Sequence, residues 1–191
     1  MAEIFVIRHG QTTWSAAGRH TSITDLPLTD VGIRQAKALA PELADHTFAL
    51  ILTSPRERAR HTAELAGLDG AIVDDDLAEW NYGEYEGITT EEIRERDPDW
   101  VLWRDGCPGG ESAAQVGARL DRVLDRARAA LSDGDVALVA HGHSLRVATA
   151  RWLGLPPSAG ALFALDTATI SRLGFEHGTE VLTGWNETVK G

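Results

Sequence analysis

Three short runs of uninterrupted apolar residues constrain this 191-residue chain most: Ile4-Phe5-Val6-Ile7, Phe48-Ala49-Leu50-Ile51-Leu52 and Val136-Ala137-Leu138-Val139-Ala140. Each has the length of a strand and none alternates with polar residues, so each requires cover on both faces. An amphipathic helical pattern comes after each run. Continuous strands alternating with helices predict an α/β protein, a three-layer α/β/α arrangement with a largely parallel central sheet. No repeat of solenoid period, low-complexity segment or dividing linker interrupts the pattern. This predicts one domain over residues 1–191, with residues 74–112 as a loop and helix cap over a site.

Local signals fill in the elements. Thr29 reads as the cap of a helix from Asp30 to Asp45, with Val31, Ala36, Leu39 and Leu43 toward the core and Pro41 kinking or dividing it. Ser54-Pro55 reads as N-cap and first-turn proline of a helix to Ala66, which places Arg58 in its first turn. Ala71 to Val73 reads as a short strand, and Thr89 or Thr90 as the cap of a short helix that stops before Pro98. Residues 13–28 and 100–110 read as irregular. Ser112 and Gln115 form a capping box that opens the clearest helix, with Val116, Leu120, Val123, Leu124, Ala127 and Leu131 on its core stripe. A helix from Ser144 to Leu153, a strand from Thr169 to Phe175 and an edge strand from Glu180 to Trp185 complete the pattern.

A net charge of −11 argues against general binding to nucleic acid or anionic membranes, both of which need a broad positive surface. An anionic small molecule would need a local cluster of cations. With only Lys37 and Lys190 as lysines, that cluster must be built from arginine, whose planar fork suits phosphate. No apolar run reaches the length of a membrane span, and the first strand begins too early for a signal peptide to precede it, so a cytoplasmic protein is expected. Cys107, the single cysteine, excludes an internal disulfide. The oligomeric state stays open, a homodimer among the options.

In sheets of this kind, ligands bind beyond the C-terminal strand ends. The first run ends in Arg8-His9-Gly10, the second delivers Arg58, and the third ends in His141-Gly142-His143. Two guanidinium groups and a second imidazole could orient phosphoryl oxygens while His9 attacks phosphorus in line. The leaving group needs a proton, which one of the acids between Asp74 and Glu86 could supply before serving as base for water.

Arg8-His9-Gly10 with Thr12, Ser54-Pro55-x-x-Arg58-Ala59-x-x-Thr62-Ala63, Leu77-x-Glu79-x-x-x-Gly83-x-x-Glu86-Gly87 and His141-Gly142 together resemble the histidine phosphatase superfamily, also called the phosphoglycerate mutase-like family. The resemblance covers residues 4–153. It implies that His9 is the phosphorylated nucleophile, Glu79 the proton donor, and Arg8, Arg58 and His141 the phosphate ligands, with neither metal nor cofactor. Ser15 stands where the family often has Asn. The loop through Trp80, Tyr82, Gly83 and Tyr85, with Trp103 to Ser112, is similar to the branch of actinobacterial acid phosphatases and fungal sedoheptulose-bisphosphatase-like enzymes. The expectation is a phosphatase acting on a small phosphorylated metabolite, with Ser15, Arg19, His20, Trp103, Arg104 and His143 as candidate substrate-binding residues, Ser15 toward the phosphate and Arg19, His20, Trp103 and Arg104 toward the leaving group. His143 could equally be packing at the helix start.

Rival chemistries fail on single residues. Gly142-His143-Ser144-Leu145-Arg146 resembles a serine-hydrolase elbow but has Arg146 in place of the final glycine. Cys107 as a phosphatase nucleophile needs an arginine six residues on, where Ala113 stands. Asp74-Asp75-Asp76 lacks the Thr or Val of an aspartate-nucleophile loop at Ala78, and neither lysine is well placed to assist it. The His and Cys spacing fits no metal site. Mutase-type phosphoryl transfer and a non-catalytic phospho-ligand binding protein remain as alternatives to hydrolysis.

Overall fold

A computed structural model describes residues 2–189, and Lys190 lies outside the described residues. Strands β1 (Ile4–Arg8), β2 (Phe48–Thr53), β3 (Ile72–Val73), β4 (Asp135–Ala140), β5 (Thr169–Glu176) and β6 (Thr179–Thr188) form one sheet in the order β3-β2-β4-β1-β5-β6. The first four in that order are parallel; β5 runs antiparallel to β1, and β6 to β5. The register pairs Ile7 with Val139 and Arg8 with Ala140, which brings the residues after these strands, His9 and His141, side by side.

Alternate residues of the central strands face opposite layers, as the two-sided apolar runs require. Phe5, Ile7, Ala137 and Val139 pack with helices α2 (Asp30–Leu43) and α3 (Glu57–Leu65). Ile4, Val6, Val136 and Leu138 pack with α6 (Ala113–Ala130) and α7 (Gly142–Trp152). Three short helices, α1 (Thr13–Ala16), α4 (Thr90–Arg94) and α5 (Leu102–Asp105), occupy stretches between them. Segment 74–112 is more than a cover. Its Leu77, Trp80, Tyr82, Ile93, Trp100 and Leu102 enter the same apolar cluster as α6 and α7. Each such burial contributes about 1.5–3 kcal/mol.

Several local expectations change. In α2, Val31 is exposed and Gly32 is buried instead, because the chain after β1 crosses the helix start. Pro41 falls in the last turn of α2, where it removes one backbone donor without dividing the helix. Ser54 does not cap α3: the helix begins at Glu57, and the Ser54 hydroxyl instead meets His141. Residues 13–28 begin with α1, closed by a capping box between Thr12 and Ser15, and residues 100–110 include α5. The capping box at Ser112 and Gln115 forms as read. Helix α7 starts two residues before Ser144, which frees two backbone N–H groups that the site uses. Among the described residues, no helix is long and apolar enough to cross a membrane.

Candidate active site

The His9 backbone N–H continues the β1–β4 ladder by donating to Ala140 O at 3.0 Å, and the chain then turns across the start of α2. Gly10 permits this: a Cβ there would lie 2.5 Å from Gly32 O. The Gly10 N–H donates to Thr62 Oγ1 at 3.0 Å, and the Thr62 hydroxyl donates to Arg58 O at 2.7 Å, so α3 is tied directly to the His9 turn.

His9 is buried with its Nδ1 2.7 Å from Gly10 O. A carbonyl oxygen only accepts, so Nδ1 carries the hydrogen and Nε2 the lone pair. Burial, then Arg8 and Arg58, holds the imidazole pKa well below its ordinary value, so the ring is neutral. The His141 ring lies 5.1 Å away, edge to face. It is fully buried, its Nε2 is 2.6 Å from Ser54 Oγ, and burial with the same cations keeps its pKa low.

Arg8 donates through Nη1 to Leu165 O. Arg58 is fully buried and gives Nη1 and Nη2 to carbonyls of residues 21–24. Burial lowers the pKa of both guanidinium groups, opposed chiefly by Glu79, and both remain cations. Arg8 Nε, Arg58 Nε and His141 Nδ1 are all buried without a hydrogen-bond partner. Unpaired buried polar groups of this kind are costly, and two guanidinium donors with a second imidazole nitrogen near His9 mark a place for a polar ligand.

The Glu79 carboxylate is held by backbone. Oε1 accepts from Trp80 N and Ser144 N, each at 2.8 Å, and Oε2 accepts from His143 N at 3.0 Å. Two of these donors are first-turn N–H groups of α7, where a negative charge is favoured. Oε2 takes one of these bonds against two at Oε1, which leaves it a free lone-pair site.

A cavity of about 250 Å³ is bounded by Arg8, His9 and Glu79 at one end and reaches Arg19, His143 and Arg146. Arg58 and His141 are fully buried next to this end and are not among the lining residues. Ser15, His20, Thr21, Tyr82 and Thr90 also line it. The Ser15 hydroxyl is engaged in its capping box with Thr12, and Arg19 is paired with Glu92 at 3.2 Å. His20 Nε2 is 3.3 Å from Thr90 Oγ1. His143 both lines the cavity and packs: its Nδ1 is 2.6 Å from the Tyr82 hydroxyl.

Two of the residues expected on the leaving-group side fall outside the cavity. Trp103 stands behind it, packed on Trp80 and His143 and covered by the Arg146 guanidinium at 4.6 Å from its ring. Arg104 points to the surface, where it pairs with its neighbour Asp105 at 2.7 Å and bonds Asp99 O. The sequence reading missed Arg146 and Tyr82 as cavity residues. The signal for Arg146 was its position three residues after His143 on the helix that follows His141, hence on the same face. Cys107 is buried and its thiol is pushed up to about 12, chiefly by desolvation, which leaves it unsuited to nucleophilic attack. Among the described residues, no three His, Cys, Asp or Glu side chains group to hold a metal ion.

This fold recurs in known proteins. The chain is 46% identical over 181 residues to an acid phosphatase of Mycobacterium tuberculosis, covering 94% of this chain and 89% of that one. It is 40% identical over 185 residues to sedoheptulose 1,7-bisphosphatase of Saccharomyces cerevisiae, covering 78% and 67%. A solved structure of an open reading frame of Mycobacterium tuberculosis superposes with a TM-score of 0.95 at 44% identity, over 99% of both chains. A mycobacterial glucosyl-3-phosphoglycerate phosphatase superposes at 0.87 with 29% identity, over 98% of this chain and 100% of that one. Residues 4–188 match the model of the histidine phosphatase superfamily (branch 1), and the chain belongs to that family.

Proposed function

We propose that this protein is a phosphatase of small phosphorylated metabolites that works through a phosphohistidine on His9 Nε2. One observation carries the reading: a neutral imidazole with its lone pair on Nε2 stands near three buried, unpaired nitrogens, two of them guanidinium donors, with a carboxyl group at the same cavity. Arg8, Arg58 and His141 bind the phosphoryl oxygens, and their donors are in place before charge develops there. His9 Nε2 forms the P–N bond as the P–O bond breaks, and the electron pair leaves with the ester oxygen. Glu79, which enters this step protonated at the free site on Oε2, gives that proton to the leaving oxygen. It then takes a proton from water as the water oxygen attacks phosphorus, and inorganic phosphate and free His9 result. The Mycobacterium and Saccharomyces relatives, both named as phosphatases, support hydrolysis. Arg19, His20, His143 and Arg146 face the leaving group.

The test is hydrolysis of an aryl phosphate in the presence of a chelator, with quenching in alkaline denaturant to trap the phosphoenzyme. Turnover, an acid-labile and base-stable phosphoenzyme, and loss of both in His9→Ala are expected. Unchanged turnover in His9→Ala overturns the nucleophile. Absence of turnover with phosphate still bound points to a binding protein, and transfer between hydroxyls of a phosphoglycerate in preference to water points to a mutase.

A further inference from the structure

Glu86 lies outside the cavity, yet its carboxylate is committed to one short segment that touches the phosphate-side machinery. Oε1 accepts from Ser22 N at 2.9 Å and Thr24 N at 3.0 Å, and Oε2 accepts from the Ser22 hydroxyl at 2.7 Å. The opposite side of the same segment faces Arg58. Nη2 donates to Thr21 O at 3.2 Å and Ser22 O at 3.3 Å, and Nη1 donates to Thr24 O at 3.0 Å. Asp25 Oδ1 is 3.8 Å from Nη1, beyond hydrogen-bond reach.

The Thr21 carbonyl and the Ser22 N–H belong to one peptide group. That group connects Glu86 to Arg58, with the carboxylate at its N–H end and the guanidinium at its C=O end. A negative charge on the N–H polarises the amide and strengthens its oxygen as an acceptor for the cation. We propose that Glu86 is a positioning residue for phosphate binding: through the 21–22 peptide it holds Nη2 of Arg58 on Thr21 O, by fixing Ser22 and Thr24 it keeps the loop carbonyl that takes Nη1 in place, and Nε is left for a phosphoryl oxygen. The proposal rests on the reading of Arg58 as a phosphate ligand. It also explains how a fully buried guanidinium keeps its place with no carboxylate bonded to it, since three carbonyls backed by an acid replace the usual partner.

The experiment measures inorganic phosphate as a competitive inhibitor of aryl phosphate hydrolysis in wild type, Arg58→Ala, Glu86→Gln and the double variant. Inorganic phosphate has no leaving group, so effects on Arg19 and His20 of the same stretch drop out. Arg58→Ala raises Ki about a hundredfold. Glu86→Gln raises it about tenfold alone and adds nothing in the Arg58→Ala background. If Glu86→Gln does not fold, Ser22→Ala, which removes only the hydroxyl contact, takes its place with a rise of about threefold. An unchanged Ki in the Glu86→Gln or Ser22→Ala variant, with Arg58→Ala still costly, overturns the role of Glu86. An equal effect in both backgrounds overturns it too, because Glu86 then acts without Arg58. An unchanged Ki in Arg58→Ala overturns the underlying reading of Arg58.

Discussion

Arg119→Met separates the support of Glu79 from Glu79 itself. Arg119, on α6, makes five hydrogen bonds: Nε and Nη2 to Glu111, Nη1 to Asp76 O and Ala78 O at 2.7 Å each, and Nη2 to Glu79 O at 3.1 Å. Glu111 in turn accepts from Asn81 N at 2.8 Å, so the pair grips the chain on both sides of Glu79. The two side chains are only 12% and 20% exposed, which limits screening by water. Methionine keeps the apolar stem and removes the guanidinium alone. At roughly 0.5–1 kcal/mol net for each bond, the loss is about 3 kcal/mol. That lowers Tm by about 6–12 °C for a chain of this size. Urea unfolding gives the stability, and aryl phosphate turnover gives kcat, which falls because the carboxylate loses its register with the leaving oxygen. Inorganic phosphate still binds, since its ligands are elsewhere. A stability loss below about 1 kcal/mol with kcat intact would refute the argument that this clamp positions Glu79.

Glu79→Gln lowers kcat by about 10²–10⁴ while phosphate affinity is nearly unchanged, and comparable losses in both would move the acid role to another residue. Burial is the main cause of the depressed pKa values of His9, His141 and His143, so their folded pKa values lie below the unfolded value of about 6.5. Their contribution to stability is present above that pH and lost as pH falls toward the folded values, because the unfolded chain then binds more protons. The limiting slope is about 4 kcal/mol per pH unit for the three together, and urea unfolding that stays flat from pH 7 to pH 5 would contradict their burial as neutral rings. Arg146→Ala raises KM more for an aryl phosphate carrying a carboxylate on its ring than for the unsubstituted ester. Equal changes in the two KM values would remove Arg146 from leaving-group recognition.

The parts of the molecule that rest on local chemistry were legible in the sequence. Uninterrupted apolar runs gave β1, β2 and β4, and a capping box gave the start of α6, because these signals lie within a few residues of the structure they specify. The strand ends gave Arg8, His9 and His141 for the same reason. Most of what failed depended on distant partners, Arg104 being the exception. Ser54 has the features of a helix cap, but its hydroxyl meets His141, 87 positions away. Val31 fits the apolar stripe of α2, but the crossing chain at Gly10 and Gln11 requires glycine at position 32. Arg104 looked like a pocket cation and is neutralised by the acid next to it. Glu86 appeared as a motif position and as one of the acids able to supply the proton, since nothing in its neighbourhood along the chain reveals that its partners are Ser22 and Thr24.

The contact between Glu86 and Ser22 also joins two halves of the site that the fold builds separately. In the proposed mechanism the phosphate half comes from β1, β4 and α3, whose positions are fixed by the sheet and by Thr62 bridging to Gly10. The leaving-group half then comes from residues 15–21, segment 74–112 and the first turns of α7. Residues 19–22 belong to both: Arg19 and His20 line the cavity, while Thr21 and Ser22 hold Arg58. A substitution there made to admit a different leaving group therefore shifts the carbonyls that orient Arg58, and phosphate affinity changes with specificity. Arg146 has no such connection to Arg58, because α7 approaches the cavity from the other face of the sheet, whereas the His143 ring lies 6.1 Å from the His20 ring and two residues from His141 at the start of α7. Substrate range can be altered at Arg146 without shifting the carbonyls that hold Arg58, and from the 19–22 side only while the Glu86 contacts are preserved.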